Sequence, residues 1–275
     1  MIIILNPGAT EGDLILSDTS SLFDRLCLRP AENSEFIISL WLPWIRKTVY
    51  AFDAAGSGGF ALVEQYPGGT SIVIHAPCAK SARRLFLEVN PRPAALNVTS
   101  REVAEALGGM FGFAVLPEDH FHYAASADSF SPADGYRECV KPIGADGVGR
   151  LLEFVAEENE LSGDDPRYAD LKSRIEAGDS WTYVAEEDGD MVGYIEINAA
   201  AKGTPLWEVD LVYTTPRLRG GGIGRKLISA ATGDALAAGL VPLYTVSADN
   251  IPSIKACEAV GYYRCLTRWR LVPPS

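Results

Sequence analysis

Cysteine and histidine are scarce in this sequence, and their spacing opposes two common kinds of site. The five cysteines form no C-x-x-C pair, and an odd number does not fit a closed disulfide framework. His75, His120 and His122 make no zinc signature. His120 and His122 share one face of a predicted strand, where packing or surface roles are expected and a metal site is the weaker alternative. We therefore expect reduced thiols, no metal and a cytoplasmic protein.

Long hydrophobic runs and an excess of basic residues are also absent. Residues 1–5 are apolar, but Pro7-Gly8 ends the run and no basic residue precedes it, so we expect no export signal. The run 38–45 is broken by Pro43 and is too short to span a bilayer. The net charge of −12 opposes a nucleic-acid partner, which needs a basic face, and favours a cationic substrate. The sequence predicts neither membrane nor nucleic-acid binding.

The 275 residues are enough for two domains of average size. The polar segment 124–135, with its serines, Pro132 and Gly135, predicts a linker. It separates a first domain, residues 1–127, from a second, residues 136–275. We therefore expect two domains of similar length.

The second half shows a clear order of predicted elements, which the first half repeats. The predicted elements of the second half are a strand at 136–143, helices at 147–161 and 165–177, strands at 181–185, 191–197 and 206–214, a helix at 222–238, a strand at 241–247, a helix at 252–260 and a strand at 262–271. Those of the first half are a hairpin at 49–65 with its turn at 56–59, a strand at 71–75, a helix at 80–89, a strand at 94–98, a helix at 101–110 and a strand at 120–124. Matching elements lie about 130–150 residues apart, a separation that indicates an internal duplication.

A strand that enters a glycine-rich turn and then a helix carries the chemistry of the second half. The turn reads Arg219-Gly220-Gly221-Gly222-Ile223-Gly224-Arg225. Glycines let backbone N–H groups approach a ligand closely, and the first N–H groups of a helix have no internal partner. Such a turn predicts an anion site suited to a pyrophosphate, with charge-assisted contacts from Arg219 and Arg225.

Two familiar phosphate-binding patterns do not fit this turn. A P-loop needs glycine before Lys226 and Ser or Thr after it, whereas Arg225 and Leu227 stand there. A dinucleotide fingerprint fails because neither Arg225 nor Leu227 supplies its third glycine. A purely structural glycine turn remains an alternative.

The pattern that fits is R-x-x-G-x-G after a strand and Pro216, and it resembles the acetyl-CoA-binding loop of the GNAT acyltransferases. The segment from Asn250 to Tyr262 resembles the family's N-x-x-[AS]-x-x-x-Y-E-x-x-G-[FY] helix. The resemblance covers about residues 136–275. The first half matches only in element order, and Cys78-Ala79-Lys80-Ser81 replaces the glycine loop. The implied fold is α/β, of the α+β kind: two tandem GNAT-like domains, each a mixed, mostly antiparallel sheet flanked by helices, the first degenerate.

The resemblance implies an N-acetyltransferase that moves an acetyl or longer acyl group from acetyl-CoA to a primary amine by direct attack. The backbone of Val212, Tyr213 and Thr214 would pair with the pantetheine arm, and an N–H near Tyr213 or Thr214 would steady the oxyanion. Asn250 and Ser253 would face the coenzyme from the other side. The pyrophosphate contacts would come from Arg219, Gly220, Gly221, Gly222, Ile223, Gly224 and Arg225.

Two carboxylates and one thiol are the candidate catalytic residues. Alternation along the strand 207–211 puts Glu208 and Asp210 on one face, and we expect Glu208, then Asp210, to act as the general base. Solvent-facing carboxylates are the alternative. Cys257 stands where the family often has a tyrosine that protonates the leaving thiolate. Cys257 is either that acid or, as we favour, a small packing residue.

Acidic side chains cluster in the first two predicted helices of the second half. They are Glu157, Glu158, Glu160, Asp164 and Asp165. This cluster is a solvated face or, alternatively, an acidic mouth for a cationic amine such as a polyamine, an aminoglycoside or a basic peptide. Two other functions stay open: a non-catalytic acyl-CoA-binding sensor, and an unrelated α/β scaffold. We expect a monomer or a homodimer.

Overall fold

The computed structural model describes residues 2–5, 48–53, 60–66, 69–89, 95–98, 100–116, 120–159, 173–177, 180–199 and 206–272. The chain divides into two compact units. The first comprises residues 1–121 and 265–275, and the second comprises residues 122–264. The C-terminal segment therefore belongs to the first unit, although it follows the second unit in sequence.

Both halves of the chain consist of short strands with helices between some of them. Up to residue 116 they are β1 (Ile2–Leu5), β2 (Thr48–Asp53), β3 (Phe60–Tyr66), β4 (Gly69–His75), α1 (Ala79–Val89), β5 (Ala95–Val98), α2 (Arg101–Phe111) and β6 (Ala114–Leu116). From residue 120 they are β7 (His120–Ala124), α3 (Tyr136–Cys139), β8 (Val140–Pro142), α4 (Val148–Asn159), β9 (Ser180–Glu187), β10 (Asp190–Ala199), β11 (Leu206–Thr214), α5 (Ile223–Ala237), β12 (Val241–Ser247), α6 (Ile251–Ala259), β13 (Tyr263–Thr267) and β14 (Trp269–Val272). No helix among the described residues has the length and apolar character needed to cross a membrane.

The described strands form two seven-stranded sheets, which have the same strand order. The first runs β1-β2-β3-β4-β5-β14-β6, and the second runs β8-β9-β10-β11-β12-β7-β13. All pairs with a described register are antiparallel except β4 with β5 and β11 with β12, which are parallel. The two halves are thus built alike, and each sheet takes the strand beside β5 or β12 from the end of the other half of the chain.

The core of each unit forms where helices cover one face of a sheet. In the first unit, Val103, Ala104 and Leu107 follow helical spacing on α2 and are buried against the sheet. In the second unit, Leu151 and Val155 of α4 pack on strand residues of the sheet. Burial of these apolar faces stabilises helices of 11 and 12 residues that would be marginal alone.

The segment predicted as a linker packs closely against the second unit. The Ser131 N–H donates to the Val260 carbonyl at 2.8 Å. The buried Ala133 N–H donates to Ser229 Oγ on α5 at 2.9 Å. Residues 125–135 connect the two halves in sequence, but their backbone is fixed by hydrogen bonds. The predicted linker is therefore part of the second unit's structure.

The predicted elements recur over the described residues, with three corrections. Strands β1 and β6 were not predicted, and the single strand predicted at 262–271 is two strands, β13 and β14, which lie in different sheets. The strand predicted at 136–143 is a four-residue helix, Tyr136–Cys139, followed by the short strand Val140–Pro142. Gly135, at a φ of 65°, lets the chain enter that helix. The glycine turn predicted at 56–59 and most of the helix predicted at 165–177 lie outside the described residues, apart from helical residues 173–177.

Candidate active site

Strands β11 and β12 pair over only part of their length and then separate. Their parallel register joins residues 206–209 to residues 241–244 and ends at Val209 and Tyr244. Strand β11 continues through Thr214, still paired with β10 on its other side. Successive residues of a strand direct their backbone groups to alternate sides, so alternate residues among 210–214 present theirs to the gap. This gap has the form expected for binding an extended arm by backbone pairing.

The glycine turn follows β11 directly and delivers the chain into α5. Gly220 and Gly222 both have a φ of 85°, a conformation that favours glycine, and a Cβ on either would meet no protein atom within 4 Å. The Gly221 N–H donates to the Leu218 carbonyl, and the Lys226 N–H donates to the Gly222 carbonyl. Among the described residues, no acceptor binds the N–H groups of Gly220, Gly222, Ile223, Gly224 and Arg225.

Two arginines flank these amides. The Arg219 Nε donates to the Thr214 carbonyl at 3.2 Å, and its guanidinium lies 6.0 Å from the centre of the Tyr213 ring. The Arg225 Nε is buried and has no hydrogen-bond partner among the described residues. Donors without protein acceptors at the positive end of a helix, with open space above the glycines, fit a pyrophosphate.

A polar cluster lies on one face of the second sheet, where β11 and β12 begin to separate. Glu208 stands opposite Asn198 in the β10–β11 register. Asn198 donates to Asp210 at 3.2 Å, so both carboxylates lie on this face. A β-bulge accompanies them: Glu196 pairs with Leu211 and Ile197 with Val209, which leaves Asp210 without a partner on β10.

Glu208 and Asp210 have different surroundings. Glu208 is half-buried and accepts a hydrogen bond from Thr245 Oγ1 at 2.5 Å. Burial raises the pKa of Glu208, the Thr245 hydrogen bond opposes the rise, and the charge of Asp210 adds to it. Asp210 is exposed and is held by Arg174 Nη1 at 3.1 Å. Glu208 therefore has the properties of a base poised nearer neutrality, whereas Asp210 is tied to a guanidinium.

A third carboxylate, Glu196, was not identified from the sequence. It is buried, its Oε1 lies 2.9 Å from Arg174 Nη1, and its pKa is raised to about 7. Burial is the main cause, Arg174 opposes it and Asp210 adds to it. Strand alternation two residues from Asn198 could have placed Glu196 on this face, but its ion pair with Arg174 has no local sequence signal.

Cys257 lies on the buried side of α6. It has no exposed surface, and its thiol donates to the Ile254 carbonyl at 3.2 Å. Burial, with the charge of Glu258, raises the pKa of the Cys257 thiol to about 12. These surroundings favour the packing interpretation over proton donation.

The other predicted coenzyme contacts lie at the start of α6. Asn250 caps the helix, because its Oδ1 accepts from the Ser253 N–H at 3.3 Å. Ser253 Oγ lies 2.7 Å from the Tyr244 hydroxyl. Asn250 and Ser253 thus follow the end of β12, as Arg219 and the glycines follow the end of β11. Of the predicted acidic cluster only Glu157 has a described side chain, and it is exposed.

Comparison with known proteins identifies the segment that carries this site. Residues 149–262 match the acetyltransferase (GNAT) family. This segment is a GNAT acetyltransferase domain. The family supports an acyl-transfer function, and the match contains β11, the glycine turn and α6.

Solved structures similar to the chain extend beyond the GNAT domain and show the fold of both halves. A GNAT-family acetyltransferase from Colwellia psychrerythraea covers 100% of this chain and 100% of its own, with a TM-score of 0.62 at 14% identity. A GCN5-related N-acetyltransferase from Sphaerobacter thermophilus covers 100% and 96%, with a TM-score of 0.54 at 14% identity. A tandem GNAT protein from the clavulanic acid biosynthesis pathway covers 100% and 99%, with a TM-score of 0.54 at 14% identity. Among curated proteins, none matches the chain.

Proposed function

We propose that this protein transfers an acetyl group from acetyl-CoA to a primary amine, with Glu208 as the general base. The observation that supports it is the combination of open amides at the head of α5 with a half-buried carboxylate where β11 and β12 separate. A helix start of this kind suits a pyrophosphate, and a carboxylate of raised pKa suits proton removal.

The residues that would hold acetyl-CoA are those of the gap and the turn. The backbone of Val212, Tyr213 and Thr214 would bind the extended arm, and the N–H groups from Gly220 to Arg225 would bind the pyrophosphate. The Thr214 carbonyl already accepts from Arg219, so this arginine fixes the end of β11 beside the turn. Once bound, acetyl-CoA supplies the acyl group as an activated thioester.

The acceptor amine is protonated at neutral pH and must lose a proton before it can attack a carbonyl. Glu208, when ionised, accepts that proton, and burial brings its pKa closer to the working pH. Glu196 and Asp210 share one guanidinium, that of Arg174, and Glu208 is a third carboxylate on the same strand face as Asp210. This charge balance favours a cationic acceptor over an anionic one.

The first test combines binding and turnover. Acetyl-CoA should raise the melting temperature, and a panel of primary amines screened by thiol release should reveal an acceptor. Glu208→Gln should then lower turnover by about 10²–10⁴-fold, the usual contribution of a general base, with acetyl-CoA binding unchanged. Glu187→Gln, at an exposed position of β9, is the matched control and should change neither quantity.

The outcomes separate the competing functions. Coenzyme binding without turnover across the panel would favour the non-catalytic acyl-CoA sensor. Failure to bind acetyl-CoA would favour a scaffold whose glycine turn is structural. Full activity in Glu208→Gln would remove Glu208 from the mechanism while leaving the transferase function intact.

A further inference from the structure

A hydrogen-bonded chain connects Glu208 to a histidine that lies outside the GNAT match. Thr245 Oγ1 of β12 donates to Glu208 Oε1 at 2.5 Å, and His122 Nδ1 of β7 lies 3.0 Å from the same Thr245 oxygen. His122 is 5% exposed and is one of three histidines in the chain. We propose that His122 is a positioning residue, which acts through Thr245 to fix the catalytic base Glu208.

The direction of the two hydrogen bonds follows from the number of protons available. A carboxylate can only accept, so the single hydroxyl proton of Thr245 goes to Glu208. The Thr245 oxygen then has only lone pairs to offer, and His122 Nδ1 must be the donor to it. The chain therefore fixes the proton of Nδ1 and the rotation of the threonine hydroxyl in one arrangement.

This arrangement leaves one side of the carboxylate for the substrate. Thr245 occupies Oε1, and no other described residue hydrogen-bonds the second oxygen of Glu208. A hydrogen bond donated to the ionised form also lowers the carboxyl pKa against the effect of burial. His122 and Thr245 thus keep Glu208 ionised and aim its free oxygen.

The other charged groups near Glu208 come from two neighbouring elements and its own strand. Asp210, two residues further along β11, raises the pKa of Glu208 by its charge. Arg174, from helical residues 173–177, forms one ion pair with Glu196 of β10 and another with Asp210. None of these groups contacts Thr245 in a described hydrogen bond. His122 and Thr245 are the part of these surroundings that donates toward Glu208.

The position of His122 in the fold explains why sequence motifs miss it. Strand β7 precedes residue 136, the predicted start of the second domain, yet it lies between β12 and β13 in the second sheet. His122 and Thr245 are separated by 123 positions in sequence. The strand taken from the end of the first half therefore supplies a residue to the site of the second half.

The experiment compares variants that remove or keep each donor. Thr245→Val should lower kcat by about tenfold or more, the scale of one hydrogen bond to a charged group. His122→Leu, which removes a hydrogen bond to the neutral threonine hydroxyl, should lower kcat by up to about tenfold. KM for acetyl-CoA should be unchanged in both. Both should move the acidic limb of the kcat/KM profile to higher pH, because Glu208 loses a contact that favours its ionised form. Thr245→Ser and His122→Asn keep a donor at the same place and should restore most of the activity.

Two comparisons distinguish positioning from simple loss of stability. Tyr123→Phe breaks the hydrogen bond from the neighbouring residue of β7 to Glu258, on the other face of the sheet, and should leave the pH profile unchanged. The double variant His122→Leu with Thr245→Val should be no slower than Thr245→Val alone, because the two residues act in one chain. Additive losses, or a His122→Leu profile like that of the wild type, would overturn the proposal.

The proposal rests on Glu208 being the base, so one measurement must be independent of turnover. The carboxyl pKa of Glu208, measured by carbon NMR titration of the resting protein, should rise in Thr245→Val and in His122→Leu. An unchanged pKa in both variants would overturn the positioning role. Full activity in Glu208→Gln with a shifted pKa in these variants would instead reject the proposed catalytic role and keep the hydrogen-bonded chain.

Discussion

Both units contain two parallel strands joined by a helix, but the first strand of each pair ends differently. In the first unit, β4 and β5 pair through Ile74, and β4 ends one residue later, at His75. In the second, β11 and β12 pair through Val209, and β11 continues for five residues to Thr214. The first unit therefore lacks the long unpaired strand edge that lines the gap in the second.

The turn that leads from this strand into the next helix also differs between the two units. Helix α1 begins at Ala79 after Ala76-Pro77-Cys78, with no glycine, whereas α5 begins after Gly220-Gly221-Gly222. Sheet order is the same in both units, so the fold requires neither the longer strand nor the glycines. The difference teaches that the candidate site depends on these two local additions to a shared scaffold.

The largest expected effect concerns β7, the strand that the first half of the chain contributes to the second sheet. A chain of residues 136–268 lacks β7, and its removal exposes the edge of β12 and deletes the hydrogen bond from Tyr123 to Glu258. It also lacks the Ser131 and Ala133 backbone donors. We expect no cooperative thermal unfolding, whereas residues 120–268 should retain it. Equal melting temperatures for the two chains, measured by circular dichroism, would show that the second unit does not need β7.

The second prediction compares the heads of α5 and α1. Gly224 is the second residue of α5, and a Cβ there would meet only Thr214 Oγ1, at an ordinary 3.7 Å. Gly224→Val should lower acetyl-CoA affinity at least about tenfold by blocking the amides, and the open space around its Cβ should keep any loss in melting temperature small. The matched control is Lys80→Val, at the second and exposed residue of α1, which should leave affinity unchanged in calorimetric titration. A loss of affinity in the control instead would assign coenzyme binding to the first unit.

The third prediction compares the glycines that end α2 and α6. Gly112 has a φ of 73° and open space around it, so Gly112→Ala should cost about 1–2 kcal/mol through backbone strain. Gly261 has a φ of 98°, and a Cβ there would lie 1.8 Å from the Ser129 carbonyl oxygen. Gly261→Ala should cost more, because the 125–135 segment must move as well. Equal losses of unfolding free energy in the two variants, measured by urea denaturation, would show that residues 125–135 move at little energetic cost.

Much of this could be predicted from the sequence, because the decisive signals are local. Gly220 and Gly222 have positive φ, and Asn250 caps α6. The glycines that follow α2 and α6 are recognisable in the sequence as helix-termination signals. The element order of the second half follows from periodicity and from these signals. Glycine turns and helix caps depend on contacts within a few residues, so they can be recognised in the sequence without knowledge of the fold.

The remaining features depend on contacts between distant residues. Strict alternation along β11 could not foresee the bulge that leaves Asp210 without a partner on β10. No local pattern joins His122 to Thr245, or Arg174 to Glu196. The exchanged positions of β7 and β14 also follow from sheet assembly rather than from the strands themselves. For that reason Glu208 and Asp210 could be placed on one face from the sequence, whereas Glu196 and the groups that contact these carboxylates could not.

The smallest expected effect tests whether Asp210, the first residue beyond the parallel pair, influences Glu208 by its charge. The charge of Asp210 raises the pKa of Glu208, so Asp210→Asn should lower that pKa. Glu208 acts in its ionised form, and the acidic limb of the kcat/KM profile should therefore move to lower pH, opposite to the shift expected for Thr245→Val. The shift should be less than about one pH unit, because Asp210 is exposed and water screens its field. A shift to higher pH would mean that Asp210 acts mainly by holding Arg174 in place, since freeing this guanidinium to pair more closely with Glu196 would rearrange the polar cluster around the base.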